Sequence, residues 1–146
     1  MTGEYEEFKG VGLKGVGSGW VKGEVVRWCG NVSFLEEVKP ETGLLVKGDR
    51  TFDLKGRILV FNGGSGSTVG SYNIYNLRIY DKAPAAMIME KADAIITIGC
   101  IMADIPLVHK LGDSAMEMIE TGMTAEVNSE AGMVRLHRKD QSDSTV

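Results

Sequence analysis

Six residues of one short stretch, Gly64, Ser65, Gly66, Ser67, Thr68 and Ser71, are of types that can bind an anion or, through a hydroxyl, take up a proton. They follow the apolar run Ile58-Leu59-Val60-Phe61 and precede the amphipathic segment Tyr72–Tyr80, an order that reads strand, glycine loop, helix. Such a junction collects unpaired backbone N–H groups and the positive end of a helix dipole at one place, which favours anions. A hydroxyl held there could have its alkoxide stabilised. Two familiar nucleotide loops do not fit. A Walker-type loop needs lysine and then serine or threonine after its last glycine, and a dinucleotide fingerprint beginning at Gly64 needs glycine where Val69 stands. The alternative reading is a capped helix with an exposed loop, since serine and threonine are favoured caps in any protein.

A second group, Asp104, Pro106 and His109, sets a carboxylate and an imidazole within a few residues of each other, a pairing suited to acid–base work and equally to an ordinary surface loop. The methionines at 87, 89, 102, 116, 118, 123 and 133 read as fillers of core gaps rather than as an adaptable binding face. Trp20 and Trp28 read as packing residues, and the charges from Glu36 to Glu41 as a solvated turn. Cys29 and Cys100 are too few and too far apart for a zinc motif, so no metal ligands are assigned to this chain.

The elements that must position the loop follow from pattern. Glycines at 10, 12, 15, 17, 19 and 23, interleaved with Val11, Leu13, Val16, Trp20 and Val21, predict short β pieces broken by turns. Val25-Val26, Val32–Leu35 and Leu44–Val46 read as further strands, with turns at Pro40–Gly43 and Gly48–Arg50 and with Phe52–Leu54 leading into the strand at Arg57–Phe61. Ala85–Met89 and Ala94–Gly99 are continuous apolar runs of strand length, predicted as buried strands beneath the helix that starts at Thr68. Pro106 limits any helix and biases Ile105 to extended backbone. Asp113–Ile119 predicts a short helix with Asp113 as its N-cap, and Thr124–Asn128 with Met133–His137 predicts two strands across a turn at Gly132.

The bulk composition bounds the rest. The chain has 146 residues, 43% of them hydrophobic and 25% charged, so one domain spanning 1–146 with its own core is expected, with residues 1–7 and 139–146 flexible. A net charge of −4 leaves no basic stripe for a nucleic-acid partner, and no apolar run reaches membrane-spanning length. The acidic opening lacks a signal-peptide pattern, so a cytoplasmic protein is expected.

On these residues the chain resembles the phosphomevalonate dehydratase small subunits of archaea, the small swivelling subunits of the aconitase X group. The likeness spans roughly residues 9 to 138. It is carried by Gly23-Glu24 ahead of a Val-Val pair, Ser33-Phe34-Leu35, Pro40-Glu41-Thr42-Gly43 and Leu54-Lys55-Gly56-Arg57-Ile58-Leu59-Val60-Phe61. Further on it is carried by Gly66-Ser67-Thr68-Val69-Gly70-Ser71-Tyr72, Ala83-Pro84 and Ile101-Met102-Ala103-Asp104-Ile105-Pro106-Leu107-Val108. The resemblance implies an α/β fold, a swivelling β/β/α domain with a compact barrel-like β layer and flanking helices. It also implies a hydro-lyase component that dehydrates (R)-5-phosphomevalonate to trans-anhydromevalonate 5-phosphate, with Ser67 as proton acceptor and Gly64, Ser65, Gly66, Thr68 and Ser71 shaping the substrate loop. Where the family commonly has proline after the strand, lysine before Gly66 and Gly-Gly at 36–37, this chain has Asn62, Ser65 and Glu36-Glu37.

Elimination of a hydroxyl β to a carboxylate benefits from a Lewis acid on the leaving oxygen and a base at the α-carbon. The loop offers a base, while two cysteines cannot supply even three cluster ligands. The resemblance therefore implies half an active site: no cofactor on this chain, a large aconitase-like subunit carrying a 4Fe-4S cluster, a heterodimer, and a phosphorylated hydroxy acid as substrate. Two alternatives stay open, an aconitase-X-type subunit for another hydroxy acid such as a hydroxyproline, and a non-catalytic anion-binding module acting alone.

Overall fold

The computed structural model describes residues 5–64 and 69–138. In chain order the strands before the central loop are β1 (Tyr5–Lys9), β2 (Val11–Gly12), β3 (Val21–Arg27), β4 (Asn31–Val32), β5 (Val38–Lys39), β6 (Leu44–Lys47), β7 (Arg50–Asp53), β8 (Ile58–Phe61) and β9 (Gly63–Gly64). After it come α1 (Gly70–Ile79), β10 (Ala86–Met89), α2 (Ala94–Ala103), β11 (Leu107–His109), α3 (Asp113–Met118), β12 (Thr124–Asn128) and β13 (Met133–His137).

Eight strands share one sheet in the order β1-β13-β12-β3-β8-β10-β11-β2. Its two edge strands are consecutive in the chain, with Gly10 alone between them, so the sheet curls until its edges are one bent piece of backbone. The result is a closed barrel, which leaves no long edge unpaired. At the seam Gly10 N–H donates to Gly132 O at 2.8 Å and Leu13 N–H to Leu107 O at 2.9 Å. A Cβ at Gly10 would lie 2.3 Å from His109 O, so this close approach requires glycine.

One side of the barrel is parallel and the other antiparallel. Strand β3 pairs parallel with β8, as do β8 with β10 and β10 with β11. Strands β12, β13 and β1 continue from β3 in antiparallel register. Each parallel strand alternates between two cores, as a period of two requires. Val25, Ile58, Val60, Ala86, Ile88 and Val108 point into the barrel, where they meet Ala125, Val127, Val134 and Leu136 from the antiparallel side. Val26, Leu59, Phe61, Met87, Met89 and Leu107 point outward, onto α1, α2 and the small sheet β5-β6-β7. Burial on both faces is why Ile58–Phe61 and Ala86–Met89 are unbroken apolar runs.

The α/β barrel with flanking helices matches the expected fold class, and several local expectations are corrected. Ala94–Gly99 is helix α2 rather than a strand. A short apolar run cannot be assigned by periodicity alone, and here Asp93 decides: its Oδ1 accepts from Ile96 N at 2.9 Å and starts a helix. The helix carries the chain back across the sheet so that β10 and β11 can pair in parallel. Val32–Leu35 forms a strand only at β4, because Glu37 N donates back to Ser33 O and turns the chain. Phe52 belongs to β7 in the small sheet, and a turn with Arg57 N on Leu54 O separates it from β8. The N-cap of α3 is Gly112, not Asp113. Tyr5–Glu7, expected to be flexible, lie in β1 against β13, and 139–146 lie outside the described residues. Met87, Met89 and Met116 are core residues as expected, whereas Met102 and Met118 are exposed.

Candidate active site at the parallel edge

The C-terminal ends of the parallel strands carry a set of polar groups. After β3 come Trp28–Asn31, after β8 Asn62–Gly64, after β10 Glu90–Asp93, and His109–Lys110 close β11. In parallel α/β folds, barrels and open sheets alike, ligands bind at this C-terminal edge, where the loops diverge from a rigid platform.

Asn62 ties these ends together. Its backbone N–H donates to Gly30 O at 2.9 Å, its Oδ1 accepts from Gly30 N at 2.6 Å, and its Nδ2 donates to Glu90 Oε1 at 2.9 Å. Three strand ends are thereby held by one side chain and its backbone. The chain then forms β9, which pairs parallel with β4 at Asn31↔Gly63 and Val32↔Gly64. Gly64 is pressed against α2: a Cβ there would lie 2.8 Å from Asp93 Oδ2 and 3.0 Å from Ile96 Cγ1. Any side chain at 64 would push the chain off the start of α2.

The two helix starts differ. Helix α2 is capped by the Asp93 carboxylate. Helix α1 begins after Val69, which makes no side-chain cap hydrogen bond, and its first turn holds no acidic residue. The first turn of α1 thus carries no carboxylate that would offset the positive end of its dipole. Ser71 lies in this turn and is buried. Of the residues expected to form the site, Gly64 lies against the start of α2 and Ser71 in the first turn of α1, while Ser65, Gly66, Ser67 and Thr68 lie outside the described residues.

The second group expected from sequence is not brought together. Asp104 is the left-handed C-cap of α2, with Oδ1 accepting from Gly17 N at 2.8 Å. His109 ends β11 at the opposite edge of the sheet, where its Nδ1 accepts from Ala92 N at 3.0 Å. That bond requires the neutral ring with its proton on Nε2. Partial burial, and secondarily the Lys110 charge, lower the pKa of His109 below its ordinary value. Sequence reading passed over Asn62, Glu90 and Asp93 as parts of the site. The signal was present for Asp93, a helix-capping residue type ahead of an apolar run. None existed for the Asn62–Glu90 pair, which only the parallel register brings together.

The donor set does not fit a metal cluster. Among the described residues no three of His, Cys, Asp and Glu converge. Cys29 is exposed, and Cys100 is fully buried with its Sγ 3.7 Å from Met87 Sδ, burial raising its thiol pKa so far that the metal-binding thiolate is disfavoured.

Residues 12–136 match the family model for the aconitase X swivel domain. The chain belongs to that family. It is 43% identical over 126 residues to the phosphomevalonate dehydratase small subunit of Pyrococcus abyssi, covering 84% of this chain and 95% of the relative. It is 36% identical over 141 residues to that of Methanosarcina mazei, covering 94% and 96%. Among solved structures it superimposes on Thermococcus kodakaraensis aconitase X (holo-form) with a TM-score of 0.83 at 38% identity, over 91% of this chain and 99% of the other. A 3-isopropylmalate dehydratase structure from Methanocaldococcus jannaschii, at 13% identity and TM-score 0.52 over 86% of both chains, shares the fold alone.

Proposed function

We propose that this chain is the small subunit of a phosphomevalonate dehydratase, a hydro-lyase that converts (R)-5-phosphomevalonate to trans-anhydromevalonate 5-phosphate in the archaeal mevalonate route to isoprenoids. The observation that carries this reading is the near-full-length identity to subunits of that name in Pyrococcus abyssi and Methanosarcina mazei. The chain acts as one swivelling domain in a cytoplasmic heterodimer. No helix among the described residues is long and apolar enough to cross a membrane.

In this reading Ser67 is the proton acceptor. It takes the proton from the α-carbon, the C–H electron pair becomes the new double bond, and the β-hydroxyl departs and leaves as water once it has gained that proton. The glycine loop's N–H groups and the start of α1 hold the alkoxide form, which a lone serine in water does not reach. Gly64 keeps the loop close to α2, and Ser65, Gly66, Thr68 and Ser71 shape its contact with the substrate. The 4Fe-4S cluster belongs to the large subunit in this reading.

The test is dehydration by the reconstituted pair. Turnover of (R)-5-phosphomevalonate is expected with both subunits and not with this chain alone. With Ser67→Ala it should fall by roughly 10²–10⁴-fold, the usual worth of a positioned acid–base group. Full activity of that variant would remove the role given to the hydroxyl. Ser65 in place of the family's lysine favours including other hydroxy acids, hydroxyproline among them, in the same assay.

A further inference from the structure

Helices α1 and α2 run side by side in the same direction. A Cβ at Gly70 would lie 3.8 Å from Ile95 Cγ2, one at Gly99 would lie 2.7 Å from Ile74 Cδ1, and Arg78 Nε donates to Ala103 O at 2.8 Å. The missing side chain at Gly99 lets the two backbones approach closely. Their inner faces fill the outer core, with Ile74, Leu77, Ile96 and Cys100 fully or almost fully buried.

The outer face of α2 lacks the polar cover of a solvated surface helix, whereas α1 also carries Asn73, Asn76 and Arg78. No charged residue occurs from Ala94 to Ala103. Ile98 is 50% exposed, Ile101 55% and Met102 40%, at the i, i+3, i+4 spacing of one helix face. On α1, Tyr72 is 61% exposed, the guanidinium of Arg78 is folded onto the Ala103 and Asp104 carbonyls at the end of α2, and Ile79 lies apart, in a groove with Lys39 and Glu41. Scattered exposed apolar residues are ordinary, but a contiguous patch rimmed by charge marks an interaction surface. Here Lys91 and Asp93 stand at one end and Arg78 and Asp104 at the other, a polar rim around an apolar centre.

We propose that the outer face of α1 and α2 is the docking surface for the large subunit, an inference that rests on the small-subunit reading above. The continuity of this face with the site selects that occupant. Helix α1 begins directly after Val69, itself exposed, and α2 begins at the Asp93 and Ile96 side chains that touch Gly64. A large subunit that completes the site must lie against the edge from which both helices start, and the apolar surface extends from that edge along them. A second copy of this chain seated on the same face would occupy the approach the large subunit needs.

The experiment titrates the full chain against the intact aconitase X large subunit of the same organism by calorimetry, and follows the mass of each chain alone by light scattering. The double variant Ile98→Arg with Ile101→Asp should weaken the complex by tenfold or more, about the effect of disabling one hot-spot residue, with the thermal midpoint of the isolated chain kept. If that variant unfolds, Ile98→Ala with Ile101→Ala removes the same contacts without adding charge and should weaken binding in the same direction. Unchanged affinity in a folded variant overturns the proposal. So does loss of a self-associated form of this chain while its affinity for the large subunit stays constant. Because the readout is binding, a pair that associates through this face yet leaves phosphomevalonate untouched defeats the substrate assignment and leaves the surface standing.

Discussion

The parallel and antiparallel sides of the barrel share one interior but treat their outer faces in opposite ways. Outside the parallel strands lies a second core under two helices, and the strand ends are cross-linked by Asn62, Glu90 and the Ala92–His109 bond. Outside the antiparallel strands lies solvent, covered by pairs between side chains: Arg135 Nε donates to Glu7 Oε2 at 2.8 Å, and His137 Nε2 lies 2.5 Å from Glu126 Oε2. Arg135 also sits over the rings of Tyr5 and Trp20, at 5.2 and 4.0 Å. A layer packed on both faces can hold loops in a fixed geometry. A layer wet on one face closes the barrel, and charge and aromatic stems cover it.

The sharpest way to break this contrast is to empty the parallel side. Phe61 is fully buried, with its ring 5.8 Å from that of Phe34, so Phe61→Ala should cost about 3–5 kcal/mol in denaturant unfolding. A loss below about 1 kcal/mol would show that the outer core is not the platform described. Next comes Gly64→Val. The added side chain meets Asp93 and Ile96, so the steric penalty is expected at about 1–3 kcal/mol. Catalysis by the reconstituted pair should fall out of proportion to that change, because the displaced chain leads directly into the loop. Proportional losses would reduce Gly64 to a packing residue.

His109 sharpens the comparison through pH. Its pKa is lowered in the folded chain, so the unfolded chain binds more protons and stability falls as pH drops below the ordinary value of 6.5. The unaltered chain should lose thermal stability between about pH 7 and 5, where histidine ordinarily titrates. The His109→Gln variant, which keeps an acceptor for Ala92 N–H, should lose less over that interval. Parallel curves for the two would exclude His109 as the source. The smallest effect is expected on the antiparallel side. Glu7→Gln removes the charge of a half-exposed pair and should change stability by no more than about 1 kcal/mol, less in high salt.

The strand that leads into the candidate loop and the helix that follows it were legible because they are local. A glycine loop between an apolar strand and a helix is written in consecutive residues, and Ile58–Phe61 announces a strand buried on both faces. The alternating strands Thr124–Asn128 and Met133–His137 were equally plain, since a barrel wall with one wet face imposes a period of two. The misreading of Ala94–Gly99 has a physical cause. A helix whose inner face is core and whose outer face is also apolar shows no amphipathic period, so its sequence is indistinguishable from that of a buried strand until its cap is recognised.

By itself, the sequence determined the order strand, loop, helix, the hydroxyls available at that junction, and a cysteine content too small for a cluster of its own, all properties of neighbouring residues or of counts. Only the tertiary structure decided that the Asp93 carboxylate caps α2 while the first turn of α1 holds no acidic residue, that Asn62 clasps three strand ends, that Asp104 and His109 stand at opposite edges, and that β1 and β2 close the barrel through Gly10. Those features depend on groups far apart in the chain, and their meeting is set by parallel register and barrel closure, which no short window of sequence encodes.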